Sequence, residues 1–208
     1  MYVPAHFAVS SPEALHDLIA RHPLGTLVTQ AGGGLDANHL PFALSPGSGP
    51  QGVLLAHVAR ANPLWREVAD GDPVLVIFRA EQAYISPNWY PSKHETHRQV
   101  PTWNYRVVHV HGHIRVRDDV RFVRGVVSRL THDHEDVRPR PWRMADAPQD
   151  YLDSMLANIV GIEVEISRLE GKFKLSQNRE TRDIRGAAEA LADEGQEALA
   201  QRMRDIIV

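Results

Sequence analysis

Cysteine is absent from the 208 residues. Its absence excludes disulfide frameworks, thiolate zinc sites and cysteine nucleophiles together. It fits a reducing compartment without requiring one. No stretch approaches the ~20 apolar residues of a membrane-spanning helix. The N-terminus, MYVPAHFAVSSPEALHDL, has no basic segment followed by an apolar one, so it does not read as a signal peptide. The expectation is a soluble cytoplasmic protein. Positive charge is not in excess either: the formal net charge is −3, whereas proteins that grip phosphate backbones usually carry a basic surplus. There is no Ser-His-Asp order, no P-loop and no GxGxxG. The AGGG at 31–34 lacks the spacing and the strand–helix setting of a dinucleotide loop.

What is present suffices for one hydrophobic core, since 43% of the residues are hydrophobic. SSPEALHDLIARH predicts a helix capped by Ser11, opened by Pro12 and favoured by Glu13 at its positive end. Leu15, Leu18 and Ile19 share its apolar face. TLVTQ, ANHLPFAL (broken or edged by Pro41) and VLLAHVA predict strands, with AGGGLD as a turn. RANPLWREVADGD predicts a short helix capped by Asn62, opened by Pro63 and stopped by Gly71. PVLVIFRA reads as a buried strand. AYISPNWYPSKHETHRQVPTWNY then makes a long polar and aromatic excursion without an apolar period, of a kind that is often functional. A histidine-bearing strand follows, then helices over DDVRFVRGVVSRLTHDHED and PQDYLDSMLANI. GIEVEISRLEGKFKLS reads as strand, turn and strand, and the tail is one or two helices. Short strands without a regular βαβ rhythm predict a mainly antiparallel β-barrel or sandwich with added helices.

Four groups of residues carry possible chemistry. His109, His111 and His113 alternate along one strand and so share a face. Same-face neighbours on a flat strand stand roughly 6.5–7 Å apart, which suits a polar lining or dimer surface better than chelation through bonds of about 2 Å. The opposite apolar row of Val108, Val110, Ile114 and Val116 is interrupted by Gly112. In HVARANP, Arg60 precedes a helix start at Asn62, where free N–H groups attract anions. Pro63 removes one of those donors, and a plain capped helix is the alternative. GKFKLSQNR sets Lys172, Lys174 and Arg179 among Ser176, Gln177 and Asn178, which suits an anionic ligand or, equally, a solvated turn. Trp89, Tyr90, Trp103 and Tyr105, beside Asn88 and Asn104, suit a flat heteroaromatic ligand or an aromatic cluster in a core or interface.

MYVPAHF, HLPF, HVARANPLW, AYISPNWYPSK, VPTWNYRVVHVHG and KLSQNR occur in this order from residue 1 to about residue 179. Together they resemble the signature blocks of the PaiB-type FMN-binding negative transcriptional regulators. The resemblance implies an FMN-binding split-barrel fold, that is, an antiparallel Greek-key barrel, normally a homodimer with two flavin sites at the subunit interface. It also implies repression of genes for degradative enzymes and sporulation. On this basis residues 1–179 form the FMN-binding domain, and residues 180–208 a helical extension packed on it. Arg60, Lys174 and Arg179 become candidates for the phosphate and ribityl chain, and Asn62 and Gln177 further candidates for binding the cofactor. Ser86, Trp89, Trp103 and Asn104 become candidates for the ring, with the backbone around Leu40 and Pro41 lining the pocket. The homodimer interface is expected to include the segment from Trp89 to Tyr105, and no metal is expected. The family pattern leads one to expect a glycine in the middle of the loop that here reads HETHRQ.

Three functions remain in competition: an FMN-binding regulator without turnover, a flavin-dependent oxidoreductase, and a haem-binding or haem-degrading split-barrel protein. With no helix-turn-helix and no basic face, direct DNA binding is the least supported part of the first, and repression through a partner is the alternative. No acid–base pair marks the second, although flavin chemistry asks little of the protein beyond positioning and electrostatics.

Overall fold

The computed structural model describes residues 1–207. The chain forms two compact units. The first comprises Met1–Leu15, Arg79–Val108 and the chain from Glu170 onward; the second comprises His16–Phe78 and His109–Leu169.

In chain order, β1 (Ala8–Val9) is followed by α1 (Pro12–Arg21), β2 (Leu24–Ala31), β3 (Gly34–Pro41), β4 (Ala43–Ser45) and β5 (Val53–Ala59). Next come α2 (Leu64–Glu67), β6 (Pro73–Ile85), α3 (Pro91–Thr96), β7 (Thr102–Arg117) and α4 (Val120–Glu135). The chain continues through α5 (Gln149–Ala157), β8 (Ile159–Lys174), α6 (Thr181–Asp193) and α7 (Glu197–Arg204). Among the described residues eight strands form a sheet in the order β3-β2-β6-β7-β8-β5-β4, with β1 paired to β8. The paired registers of β2 with β3, β2 with β6, β4 with β5 and β5 with β8 are all antiparallel. The expected fold class, mainly antiparallel β with added helices, is therefore the observed one.

In the second unit, β2 and β3 make a hairpin from Leu24 opposite Pro41 to Ala31 opposite Gly34. Its turn uses a glycine in the left-handed region, Gly34 at φ 111°. Asp119 caps α4 by accepting from the Phe122 N–H at 2.8 Å, and Val126 and Leu130 of that helix pack on Ala43. Phe122 lies against Gly161, where an added Cβ would come within 2.5 Å of the ring. The apolar row of β7 is continuous: Val108, Val110, Gly112 and Ile114 are all buried. Gly112 belongs to that row rather than interrupting it. It is small because a Cβ would strike the Glu165 carbonyl oxygen and approach Val164 Cγ1 to 2.7 Å.

In the first unit, Ile184, Ala188 and Leu191 of α6, with Leu199 and Met203 of α7, close over Ile85, Tyr90 and Leu175. The helical tail thus contributes the larger part of this unit's core.

Three local expectations differ from the structure. GIEVEISRLEGKFK lies in one unbroken strand, β8, which ends at Lys174. It looks like two strands because burial at Val160 to Ile162, Val164 and Ile166 lapses over the next four residues and resumes at Gly171, an odd-numbered position. A shift by one residue moves side chains to the other face without ending the strand. β6 behaves likewise, burying Val74, Val76 and Phe78 and then Ala83 and Ile85. It therefore extends into the polar excursion. The helix expected over RANPLWREVADGD shrinks to the four residues of α2. In HETHRQ, His97 adopts φ 55° and caps α3 in the left-handed conformation. The position has the geometry that glycine serves best, and histidine is among the side chains that tolerate it.

Candidate functional site

The candidate ring residues converge in the first unit. The end of β6 places Gln82 and Tyr84 two apart, with Ser86 directly after the strand continuing the spacing, so strand periodicity turns them to one side. Ser86 then accepts the Asn88 N–H at 3.2 Å and caps a short 3-10 turn, Pro87–Trp89. That turn presents Trp89 beside α6, where Gly186 leaves no room for a side chain: a Cβ would sit 2.5 Å from the Trp89 carbonyl oxygen. Trp103, at the start of β7, meets Tyr84 edge to face with centroids 6.3 Å apart. Tyr84, Ser86, Trp89 and Trp103 line a cleft of about 450 Å³, whose remaining wall includes Glu194 and Gln196. Trp103 is 55% exposed and Tyr84 45%, so both rings offer unused aromatic surface.

Behind Trp103 lies positive charge. Lys174 Nζ donates to Thr102 Oγ1 and to the Trp103 carbonyl. Burial lowers the Lys174 pKa, and the nearby charges of Lys172 and Arg179 lower it further. Lys172 Nζ donates to the Tyr2 carbonyl at 3.2 Å, and the Arg179 guanidinium stands 5.6 Å from the centre of the Tyr90 ring. Among the described residues none of these three cations pairs with a carboxylate. Such an uncompensated cluster attracts an anion, and Arg179 is free to meet it with its forked donors.

Asn104 and Gln177 are spent inward. Asn104 is fully buried; its Nδ2 donates to Ser176 Oγ at 2.9 Å and contacts Met203 Sδ at 3.4 Å, while its Oδ1 has no partner. Gln177 accepts the Leu175 N–H at 2.7 Å and donates to the Phe173 carbonyl, which shapes the KLSQNR turn.

Leu40, Pro41, Arg60 and Asn62 belong to the second unit. Leu40 is buried in β3 opposite Gly25, and Pro41 ends that strand opposite Leu24. Asn62 donates to Asn38 Oδ1 at 2.7 Å and accepts the Leu64 N–H at 2.9 Å, one residue ahead of the N-cap of α2, which is Pro63 rather than the expected Asn62. Arg60 makes two bonds to the Asp118 carboxylate, at 2.8 and 2.5 Å, and donates to the carbonyls of Ala157 and Ile159 at 2.7 and 3.2 Å. The bond to Asp118 holds the guanidinium above its ordinary pKa and the carboxyl below the usual carboxylate range. In the strand that follows α3, His109 and His111 are partly buried and His113 is exposed.

Several residues at the cleft carried no role in the sequence reading. Tyr84 and Gln82 were within reach of it, because period-two alternation runs back from Ser86. Glu194 and Gln196 had no local signal.

Residues 1–168 match the family described as "Putative FMN-binding domain". The chain belongs to this family. It is 31% identical to the protease synthase and sporulation protein PAI 2 of Bacillus subtilis, over 93% of this chain and 90% of that one. Among solved structures, a conserved hypothetical protein of Mycobacterium tuberculosis, Rv2991, superposes with a TM-score of 0.59 at 13% identity, covering 86% of this chain and 94% of the other. The FAD and heme binding protein of Mycobacterium smegmatis gives a TM-score of 0.53 at 19% identity, covering 80% and 73%. The family's cofactor is FMN, and the donor set suits it: exposed aromatic faces for a planar ring, unpaired cations for a phosphate, and a cleft of a size usual for small-molecule sites, ~300–1,000 Å³. Among the described residues no helix is long and apolar enough to cross a membrane.

Proposed function

We propose that the protein is a cytoplasmic FMN-binding homodimer with a negative transcriptional role, whose flavin ring rests on Trp89 and Trp103 and whose phosphate is met by Lys174 and Arg179. One observation carries the site: a cleft with unused tryptophan surface adjoins cations that have no acidic partner. The cleft and the cations are joined directly, since Lys174 bonds the carbonyl of Trp103. Similarity to the sporulation protein of Bacillus subtilis supports the regulatory role, and with a net charge of −3 repression runs through a partner rather than through broad contact with DNA.

Val100 is 65% exposed, and with Trp103 it gives the Trp89–Tyr105 segment the apolar surface of a dimer interface. The test is a flavin titration on the purified protein with light scattering alongside. Saturable FMN binding with flavin absorption bands on a dimer of mass twice 23.3 kDa is the expected result. A Soret band, or a protein that takes up no flavin, overturns the reading.

A further inference from the structure

The family match ends at residue 168, yet part of the cleft wall lies far beyond it, at Glu194 and Gln196. These two residues flank Gly195 in the turn that joins α6 to α7. The turn is closed in a defined way. The Gln196 N–H bonds the Leu191 carbonyl at 2.8 Å, the Gly195 N–H bonds the Ala192 carbonyl at 2.9 Å, and Gly195 takes φ 78°. That pattern ends a helix in a fixed geometry, so both side chains spring from an ordered backbone. Among the described residues neither the Glu194 carboxylate nor the Gln196 amide bonds another side chain, and neither residue has an interaction left unstated.

The other end of α6 is latched. The Asp183 carboxylate is 1% exposed; it accepts the Ser92 N–H at 3.0 Å and the Ser92 hydroxyl at 2.6 Å. Gln99 Nε2 donates to the Ser92 hydroxyl oxygen at 2.8 Å. Between the two ends, Gly186 lets the helix touch the Trp89 carbonyl. One helix is therefore anchored to the segment that carries Trp89 and delivers Glu194 to the cleft that Trp89 lines.

We propose that the α6–α7 turn is a ring-recognition element of the flavin site, with Glu194 and Gln196 contacting the polar edge of the ring and Asp183 acting as their positioning residue. The proposal rests on the FMN reading above. An isoalloxazine edge carries an imide N–H between two carbonyl oxygens. A carboxylate can accept from the first, and an amide can donate to either of the others. The placement also divides the ligand sensibly: the carboxylate stands on the cleft wall, and the unpaired cations stand behind Trp103, so the anionic phosphate and the hydrogen-bonding ring edge meet different chemistry. A carboxylate beside the ring disfavours the added negative charge of the reduced flavin, so Glu194 also lowers the midpoint potential.

The test uses the full chain and two ligands, FMN and riboflavin, titrated by flavin fluorescence, together with a dye-referenced reductive titration of bound FMN. Gln196→Ala is expected to weaken both ligands by the same factor, about three- to tenfold for one neutral hydrogen bond. Glu194→Gln keeps the shape and is expected to raise the potential by about 30 mV, the equivalent of a tenfold gain in relative affinity for the two-electron-reduced form. Asp183→Asn is expected to act in the same direction on both ligands and to leave the fold intact by circular dichroism. Should it unfold, the two turn variants still decide the matter. If the unaltered protein binds FMN and neither turn variant changes affinity or potential, the inference falls while the flavin reading stands. Losses confined to FMN would place the turn at the phosphate and overturn the ring assignment. If the unaltered protein binds neither flavin, both readings fall.

Discussion

Arg179→Gln isolates the phosphate contact better than any other substitution. The side chain stacks on Tyr90 and, among the described residues, makes no ion pair, so removing its charge breaks no hydrogen bond of the fold. A charge-assisted bond is worth ~1.5–3 kcal/mol in a favourable setting. Arg179 is only partly buried, and exposed pairs fall toward 0–1 kcal/mol. A net loss of about 1.4 kcal/mol, a tenfold weaker FMN complex, is therefore expected. Riboflavin, which lacks the phosphate, should bind as before apart from whatever the lost stacking costs, ~0.5–1 kcal/mol at an exposed site. The difference between the ligands should shrink as salt is added, because the contact is open to screening. Fluorescence titration of both flavins at low and high salt measures all of this. Equal losses for FMN and riboflavin, or an FMN loss insensitive to salt, would refute the phosphate assignment. Lys174→Gln makes an instructive contrast. It removes a charge and also the ties to Thr102 and the Trp103 carbonyl, so it should weaken both ligands, and FMN more.

Three further outcomes follow from the same geometry. Lys174 is held below the ordinary lysine value of about 10.4; because its cationic form meets the phosphate, FMN affinity should fall as pH rises toward that value, and Lys174→Gln should flatten the profile in an FMN titration against pH. Gly112→Ala drives a Cβ into the Glu165 carbonyl, and overpacking of this kind costs ~1–3 kcal/mol, so the melting temperature should drop by roughly 2–12 °C; an unchanged melting curve would mean that β7 and β8 do not pack as described. Burial lowers the pKa of His57, whose Nδ1 has no partner. The unfolded chain then takes up a proton first, near pH ~6.5, so stability should decline as pH falls through that value, and urea midpoints of His57→Gln should lose that decline.

The sequence made some of this visible and hid the rest for identifiable reasons. Strands announced themselves where one face stayed buried throughout, as in the apolar run VLLAHVA, which forms β5 with alternate residues buried. They misled where the buried face changes within a strand. SRLEG at 167–171 breaks the alternation of β8 without breaking the strand, and local periodicity cannot distinguish a turn from a change of face. The aromatic part of the site was legible because Ser86, Trp89 and Trp103 sit in a long excursion that needed a purpose, and the structure brings all three to one cleft.

Charge was harder to read, because a cation's availability is a tertiary property. Arg60 and Arg179 look alike in the sequence, each beside a polar turn. In the fold, Arg60 is held by Asp118, 58 positions away, and by two main-chain carbonyls, so for Arg60 to bind phosphate it must give up or share those bonds. Arg179 has only a ring beneath it. The donors that cost least to redirect toward a ligand are those the fold has left uncompensated, and that criterion separates the two arginines. It also picks out Glu194 and Gln196 in a tail that is rich in helix formers and otherwise undistinctive. A free polar group beside an aromatic cleft exists only once α6 has been packed, latched at Asp183 and ended at Gly195, so no reading of the tail by itself could have found it.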